Sequence, residues 1–298
     1  VLDQGSDLKM WKPENYGKKF YGPSTIRVGL EKSRNLMTVR IAQNLGIEKV
    51  VNFSKKIGIY DNPEELLSIS LGSAETTLLK LTSAYSAFVN GGKLIKPIII
   101  DRVQDSEGNT IVNNENRNCL NCDQISFTSK DYPIIEDDYK QVFTSQTAYQ
   151  ITSILEGVVK RGTGKKLRKL NLNLAGKTGT TNKNTDAWFI GFTSNLVVGV
   201  YVGMDNPSTL GKYETGSKAA LPIFKNFIER AVKKSDARPF KVPEGITMMV
   251  SDPLTGQKAK FSSKNTIIEA YKSKNVVDGK VLYSNNNRLD SNNILKFY

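Results

Sequence analysis

The run Ala175–Thr193, AGKTGTTNKNTDAWFIGFT, constrains the fold more than any other part of the chain. A short strand-like segment, a polar Asn/Lys/Asp connection and a nearly continuous apolar segment follow one another. LVVGVYVGMD comes after a short Ser-Asn connection. Apolar and β-branched runs joined by short polar turns predict an antiparallel meander. The first strand of the three is anomalous, because Lys-Thr-Gly-Thr-Thr supplies little to a core. It is either the polar edge of a hairpin or a strand that faces a ligand.

The segments around this meander predict helices. Residues 1–32 read as irregular, with Pro, Gly and Asn at turn spacing. NLMTVRIAQNLG has near-helical apolar spacing and Gly46 as a stop, and IEKVVNFSKKIGI gives a further short helix. A helix is expected over about 75–89, with Ser73 as N-cap, an apolar face of Leu78, Leu81, Ala84, Tyr85 and Phe88, and Gly91-Gly92 as terminator. KPIIIDRVQDSEGNTIV predicts a hairpin, and the polar stretch 113–142 reads as an inserted loop. Helices are expected over about 145–160 and in KAALPIFKNFIERAVKK. Trp188 and Phe189 are both assigned to the core. Helices, then an antiparallel sheet, then a helix make an α+β plan. The domain boundary falls near 235, giving residues 1–234 as the main domain and 235–298 as a C-terminal tail.

Composition narrows the chemistry. The 298 residues contain no histidine, so any base working near neutral pH is Lys, Tyr, Asp or Glu. Two cysteines without histidine do not suit a zinc site, and neither a metal nor a cofactor is expected. Cys119-Leu120-Asn121-Cys122 lies in an Asn-rich loop without a preceding strand. It reads as a minor structural element, a local disulfide if the protein is exported. The net charge of +13 comes from scattered lysines, which reads as a solvated surface; no nucleic-acid motif accompanies it.

Two motifs mislead. RGTGKK at 161–166 looks like a phosphate loop, but Val159 and Lys166 stand where a Walker A sequence needs Gly and Ser/Thr. Ser6-Asp7-Leu8-Lys9 is the only Ser-x-x-Lys in the chain. That motif works because i and i+3 share a helix face, and Gly5 and Pro13 leave little room for a helix. Two weak motifs remain: Ser33-Arg34-Asn35 at the mouth of a predicted helix, and Lys177-Thr178-Gly179 opening a predicted strand.

Their order and surroundings give the chain its resemblance. WKPENYGKKFYGPSTIRVGLEKSRNLMTVRIAQNLG, LSISLGSAETTLLKLTSAYSAFVNGG, VVKRGTGKKL and AGKTGTTNKNTDAWFIGFT resemble the transpeptidase domain of class A, bifunctional penicillin-binding proteins over roughly residues 1–235. The resemblance implies the penicillin-binding-protein/β-lactamase-like fold, an antiparallel sheet flanked by helices. It implies a serine-type D,D-transpeptidase that cross-links peptidoglycan stem peptides and is acylated by β-lactams. It places that enzyme on the periplasmic side of the inner membrane, anchored by an N-terminal helix.

By the same resemblance, Ser33 relays protons and Asn35 holds the substrate's peptide group. Lys177 supports the serine hydroxyl electrostatically. Thr178 and Thr180 bind the substrate carboxylate, with Thr181 beside them. Gly179 leaves room for the acyl chain, and the Thr180 N–H supplies half of an oxyanion hole. The family's Ser-x-x-Lys nucleophile motif is expected upstream of Val1, with a glycosyltransferase domain further upstream. The 298 residues are therefore expected to supply the pocket's walls and to be inactive alone. The alternative is a non-catalytic scaffold module that folds with an N-terminal partner.

Overall fold

The structure is a computed structural model. It describes residues 11–114, 118–122, 132–136, 139–236, 238–260, 262–263, 265–277 and 280–281. An extended segment from residue 11 leads into a short helix α1 (Ile26–Glu31), then α2 (Asn35–Leu45) and α3 (Ile47–Lys56). Gly46, at φ 89°, separates α2 from α3, a backbone conformation that a β-carbon would oppose. Helix α4 (Leu78–Val89) follows a 3-10 turn at Leu67–Leu71.

A set of small antiparallel pairs comes next. Strand β1 (Lys93–Leu94) pairs with β6 (Lys140–Gln141), β2 (Arg102–Gln104) with β3 (Thr110–Asn113), and β4 (Asn118–Leu120) with β5 (Ile134–Glu136). Cys119 and Cys122 form a disulfide at the end of β4. Helix α5 (Ser145–Lys160) is capped by Thr144, whose hydroxyl accepts from the Thr147 N–H. The central sheet is the meander β7 (Ala175–Thr180), β8 (Ala187–Phe192) and β9 (Val197–Val202), followed by α6 (Ala220–Ala231). Two further pairs are β10 (Ile246–Ser251) with β11 (Ile267–Lys272), and β12 (Val276–Val277) with β13 (Lys280–Val281).

The sheet carries apolar side chains on both faces. On one face Phe189 packs against Phe224 of α6 with ring centroids 4.8 Å apart, among Ala187, Val200, Leu221 and Ile228. On the other, Ala175 and Phe192 pack with Leu155 and Val158 of α5 and Tyr85 and Phe88 of α4. Each fully buried aromatic here contributes about 1.5–3 kcal/mol. Strand β8 is therefore apolar throughout because both of its faces are covered.

Four expectations are corrected. The stretch 113–142 is not all loop, because it carries β4, β5 and β6, and Cys119 lies within β4. The chain is not irregular up to residue 32, because Thr25 caps α1 by accepting from the Val28 N–H. Helix α4 starts at Leu78 rather than near 75, since Thr77 and not Ser73 accepts from its first turn. Trp188 is not a core residue like Phe189: neighbouring strand residues point to opposite faces, and Trp188 is half-buried against Tyr201 at 4.6 Å.

Candidate active site

The end of α1 sets the first element of the site. The Ser33 N–H donates to the Leu30 carbonyl at 3.1 Å, and the Arg34 N–H to the Gly29 carbonyl at 2.9 Å. This double closure needs a left-handed residue just after the helix, a place that glycine usually takes. Ser33 holds it at φ 52°. A side chain in that conformation costs about 1–3 kcal/mol and persists only where the surroundings enforce it. The cost turns the Ser33 hydroxyl away from its own helix and toward β7.

Strand β7 brings the second element. Lys177 Nζ donates to Ser33 Oγ at 2.8 Å and to the Thr178 carbonyl at 2.9 Å. Neither acceptor is a carboxylate. Burial disfavours the ammonium and pushes its pKa down from 10.5 to about 8. The pair is thus a hydroxyl that accepts from an ammonium while keeping its own proton to give, next to a lysine poised near neutral pH. That arrangement suits proton transfer and the support of developing negative charge.

Two loops pack against β7 around the pair. Thr178 Oγ1 lies 2.9 Å from Thr163 Oγ1, in the Gly-Thr-Gly turn after α5. Thr180 Oγ1 accepts from the Gly216 N–H at 3.0 Å, and the Thr215 and Ser217 hydroxyls pair at 3.0 Å on either side. A β-carbon on Gly216 would come within 2.4 Å of the Gly179 and Trp188 carbonyl oxygens, so this loop seats directly on β7 and β8. At Gly179 itself a β-carbon would meet the Trp188 β-carbon at 3.0 Å. β7 has a strand on one side only, among the described residues, so its outer edge faces these loops.

Two residues assigned to the site make other contacts. Asn35 opens α2 and donates to the Glu14 carbonyl at 2.9 Å; it has no hydrogen bond to Ser33 or Lys177. Thr181 closes the β7–β8 turn, with its hydroxyl bonded to Thr185, to the Asp186 carboxylate and to the Asp186 N–H. Ser6 and Lys9 lie outside the described residues. Sequence reading overlooked Thr163 and the 215–217 loop. A Gly-Thr-Gly turn directly after a long helix was the available signal for the first.

Among the described residues, no group of three or more His, Cys, Asp or Glu side chains stands where it could hold a metal ion. No helix among them is long and apolar enough to cross a membrane.

The penicillin binding protein transpeptidase domain family matches residues 2–229. The chain is 43% identical over 293 residues to penicillin-binding protein 1A of Rickettsia bellii, covering 96% of this chain and 36% of that protein. It is 32% identical to penicillin-binding protein 1A of Pseudomonas aeruginosa, covering 89% and 36%. The chain thus spans about a third of the length of these relatives. The crystal structure of penicillin-binding protein 1A from Haemophilus influenzae superposes with a TM-score of 0.74 at 28% identity, over 92% of this chain and 43% of that one. PonA1 from Mycobacterium tuberculosis, in complex with penicillin V, matches with a TM-score of 0.61 at 21% identity, over 77% and 62%, a likeness of fold.

Proposed function

The chain belongs to the penicillin-binding protein transpeptidase family, a family of β-lactam targets, and from that premise we propose that Ser33 and Lys177 form the proton-relay half of a serine D,D-transpeptidase site that cross-links peptidoglycan stem peptides. The 2.8 Å contact between Lys177 Nζ and Ser33 Oγ carries the reading. A nucleophilic serine attacks the donor peptide's penultimate carbonyl, an ester forms and the terminal D-Ala leaves. The proton that the nucleophile's hydroxyl gives up is handed through Ser33 to that leaving amine. The acceptor amine then attacks the ester, forms the new peptide bond and returns the proton to the nucleophile. Lys177 holds positive charge beside Ser33 throughout.

Thr178 and Thr180 receive the substrate carboxylate, with Thr181 at the strand's end. Gly179 keeps the strand surface low enough for the acyl chain. Asn35 holds the substrate's peptide group once its amide leaves the Glu14 carbonyl. The described residues hold no Ser-x-x-Lys, and the nucleophile is assigned to chain beyond these 298 residues, as are the glycosyltransferase partner and a membrane anchor on the periplasmic side. Residues 1–234 are then a transpeptidase domain lacking that nucleophile segment, and 235–298 an extension built on the β10–β11 pair.

Labelling with a fluorescent penicillin, read by intact mass, tests this reading. The intact protein gains one covalent penicilloyl group, and residues 1–298 alone gain none. An adduct on the 298 residues alone, mapped to Ser6, would relocate the nucleophile. No adduct on the intact protein would make the domain a non-catalytic scaffold.

A further inference from the structure

A second charged cluster lies behind Ser33, and it reaches outside the residues that the family matches. Glu269 of β11 grips Arg27 of α1 through both carboxylate oxygens, to Nε and Nη2. The Arg27 guanidinium also donates to the Ser153 carbonyl and hydroxyl on α5, each at 2.9 Å, and lies 3.4 Å from Glu31 Oε1. Glu31 in turn takes Arg161 in a second two-point contact, at 3.1 and 2.5 Å. Arg27 and Glu31 are 4% and 3% exposed, so the centre of the cluster is out of water while Arg161 reaches the surface, and its two cations are matched by two anions.

The cluster's ends lie where the site is built. Glu31 is the last residue of α1, two residues before Ser33. Arg161 is the C-cap of α5 and leads into Gly162 and Thr163, which touches Thr178. Gly157 and Gly162 leave the space that this requires: β-carbons there would come within 1.8 Å of Glu31 Oε1 and 2.1 Å of the Glu31 carbonyl. The β10–β11 pair is held to the same helices at other points. Thr25 Oγ1 donates to the Pro253 carbonyl at 2.7 Å, Gln150 to the Ala270 carbonyl at 2.9 Å, and Lys272 to Thr147 Oγ1 at 2.9 Å.

We infer that Glu269, acting through Arg27 and Glu31, is a positioning residue for Ser33, so that the C-terminal strand pair holds the proton relay of the site in register. A buried charge network fixes one arrangement, because any shift of α1 along α5 would strand a charge away from its partner. The strained left-handed Ser33 needs that fixed frame. The inference rests on the transpeptidase reading above, and the test separates the two.

The test is a double-mutant cycle on the intact protein, measuring the second-order rate of acylation by a penicillin. Glu269→Gln keeps the side-chain volume and removes the charge. It is expected to slow acylation about 10- to 100-fold, the scale of a misplaced reacting group. In a Ser33→Ala background it is expected to cause no further loss. Glu269→Asp keeps the charge, recovers part of the rate, and carries the same cycle if Glu269→Gln does not fold. An unchanged rate in the single variants, or the same loss in both backgrounds, overturns the inference. An unchanged rate for Ser33→Ala itself overturns the underlying reading of the site instead.

Discussion

Lys177 Nζ lies 2.8 Å from Ser33 Oγ although 144 residues separate them in the chain. The contact joins the one strained side chain at the end of α1 to the one buried ammonium of β7. Since burial alone brings the lysine to about 8, its charge state changes within a convenient pH range. Acylation of the intact protein should fall as pH rises through about 8, because the site loses its cation. Lys177→Arg should carry that alkaline fall beyond pH 10, whatever its absolute rate, since a guanidinium stays charged. A wild-type rate that is flat to pH 9.5 would show that the cation is not needed.

Stability should move the opposite way over the same range. With a folded pKa below the unfolded one, the native state binds fewer protons between about pH 8 and 10.5. The penalty for burying the ammonium is complete below pH 8 and is lifted as pH climbs to 10.5. Urea unfolding of the wild type and of Lys177→Met should therefore show the wild type gaining stability relative to the variant across that window. A constant difference between them would contradict the burial of the charge.

The long elements were legible in the sequence for a simple reason. Helix α5 and strands β8 and β9 have continuous apolar faces, so their periodicity survives whatever packs on them. Helix α1 has six residues, and its buried side chains include Arg27 and Glu31, which a sequence reader places at the surface. Only distant partners, Glu269 and Arg161, make their burial affordable. The choice of Thr77 over Ser73 as a cap was hidden among several hydroxyls in GSAETTLLK. At the site, Lys177 and Ser33 stand in motifs and Thr163 in a Gly-Thr-Gly turn, while the Gly216 N–H contributes through the path of the main chain, which no residue pattern encodes.

The alternation along β8 can be checked directly. Phe189 is fully buried, and Phe189→Ala should cost about 3–5 kcal/mol. Trp188 is larger but half-buried, with Tyr201 as its main aromatic contact. Trp188→Ala should cost about 1–2 kcal/mol, the smaller loss despite the bigger side chain. Chemical denaturation of both variants decides it, and equal losses would mean that both faces of β8 are packed alike at these positions.

The close approach of α1 to α5 makes a sharper stability prediction. A methyl group at Gly157 would collide with Glu31 Oε1 at 1.8 Å and with Arg161 Nη2 at 2.6 Å. Glu31 cannot swing aside without losing Arg161, so the strain is not relieved cheaply. Gly157→Ala should destabilise the fold by about 1–3 kcal/mol, although alanine is the better helix former by about 1 kcal/mol. Thermal melting that is unchanged or raised would mean that the helices are not in contact there.

The last prediction concerns the polar strand. Lys177 touches the proposed proton relay itself, whereas Thr178 is proposed to meet only the substrate's carboxylate and already has Thr163 as a partner at 2.9 Å. Loss of an electrostatic donor at a reacting centre costs about 100- to 1000-fold in rate. Loss of one hydrogen bond to a charged group costs about 1.5–3 kcal/mol, or roughly 10- to 150-fold. Lys177→Ala in the intact protein should therefore slow penicillin acylation more than Thr178→Ala. Neither should unfold the domain, because both residues are part-buried at the sheet's edge and Lys177→Ala removes a buried ammonium rather than core packing. Second-order acylation rates with thermal melts as controls decide the order. If both variants acylate like the wild type, the Lys-Thr-Gly-Thr-Thr run is no more than the polar edge of a hairpin, and the contact between Lys177 and Ser33 is structural.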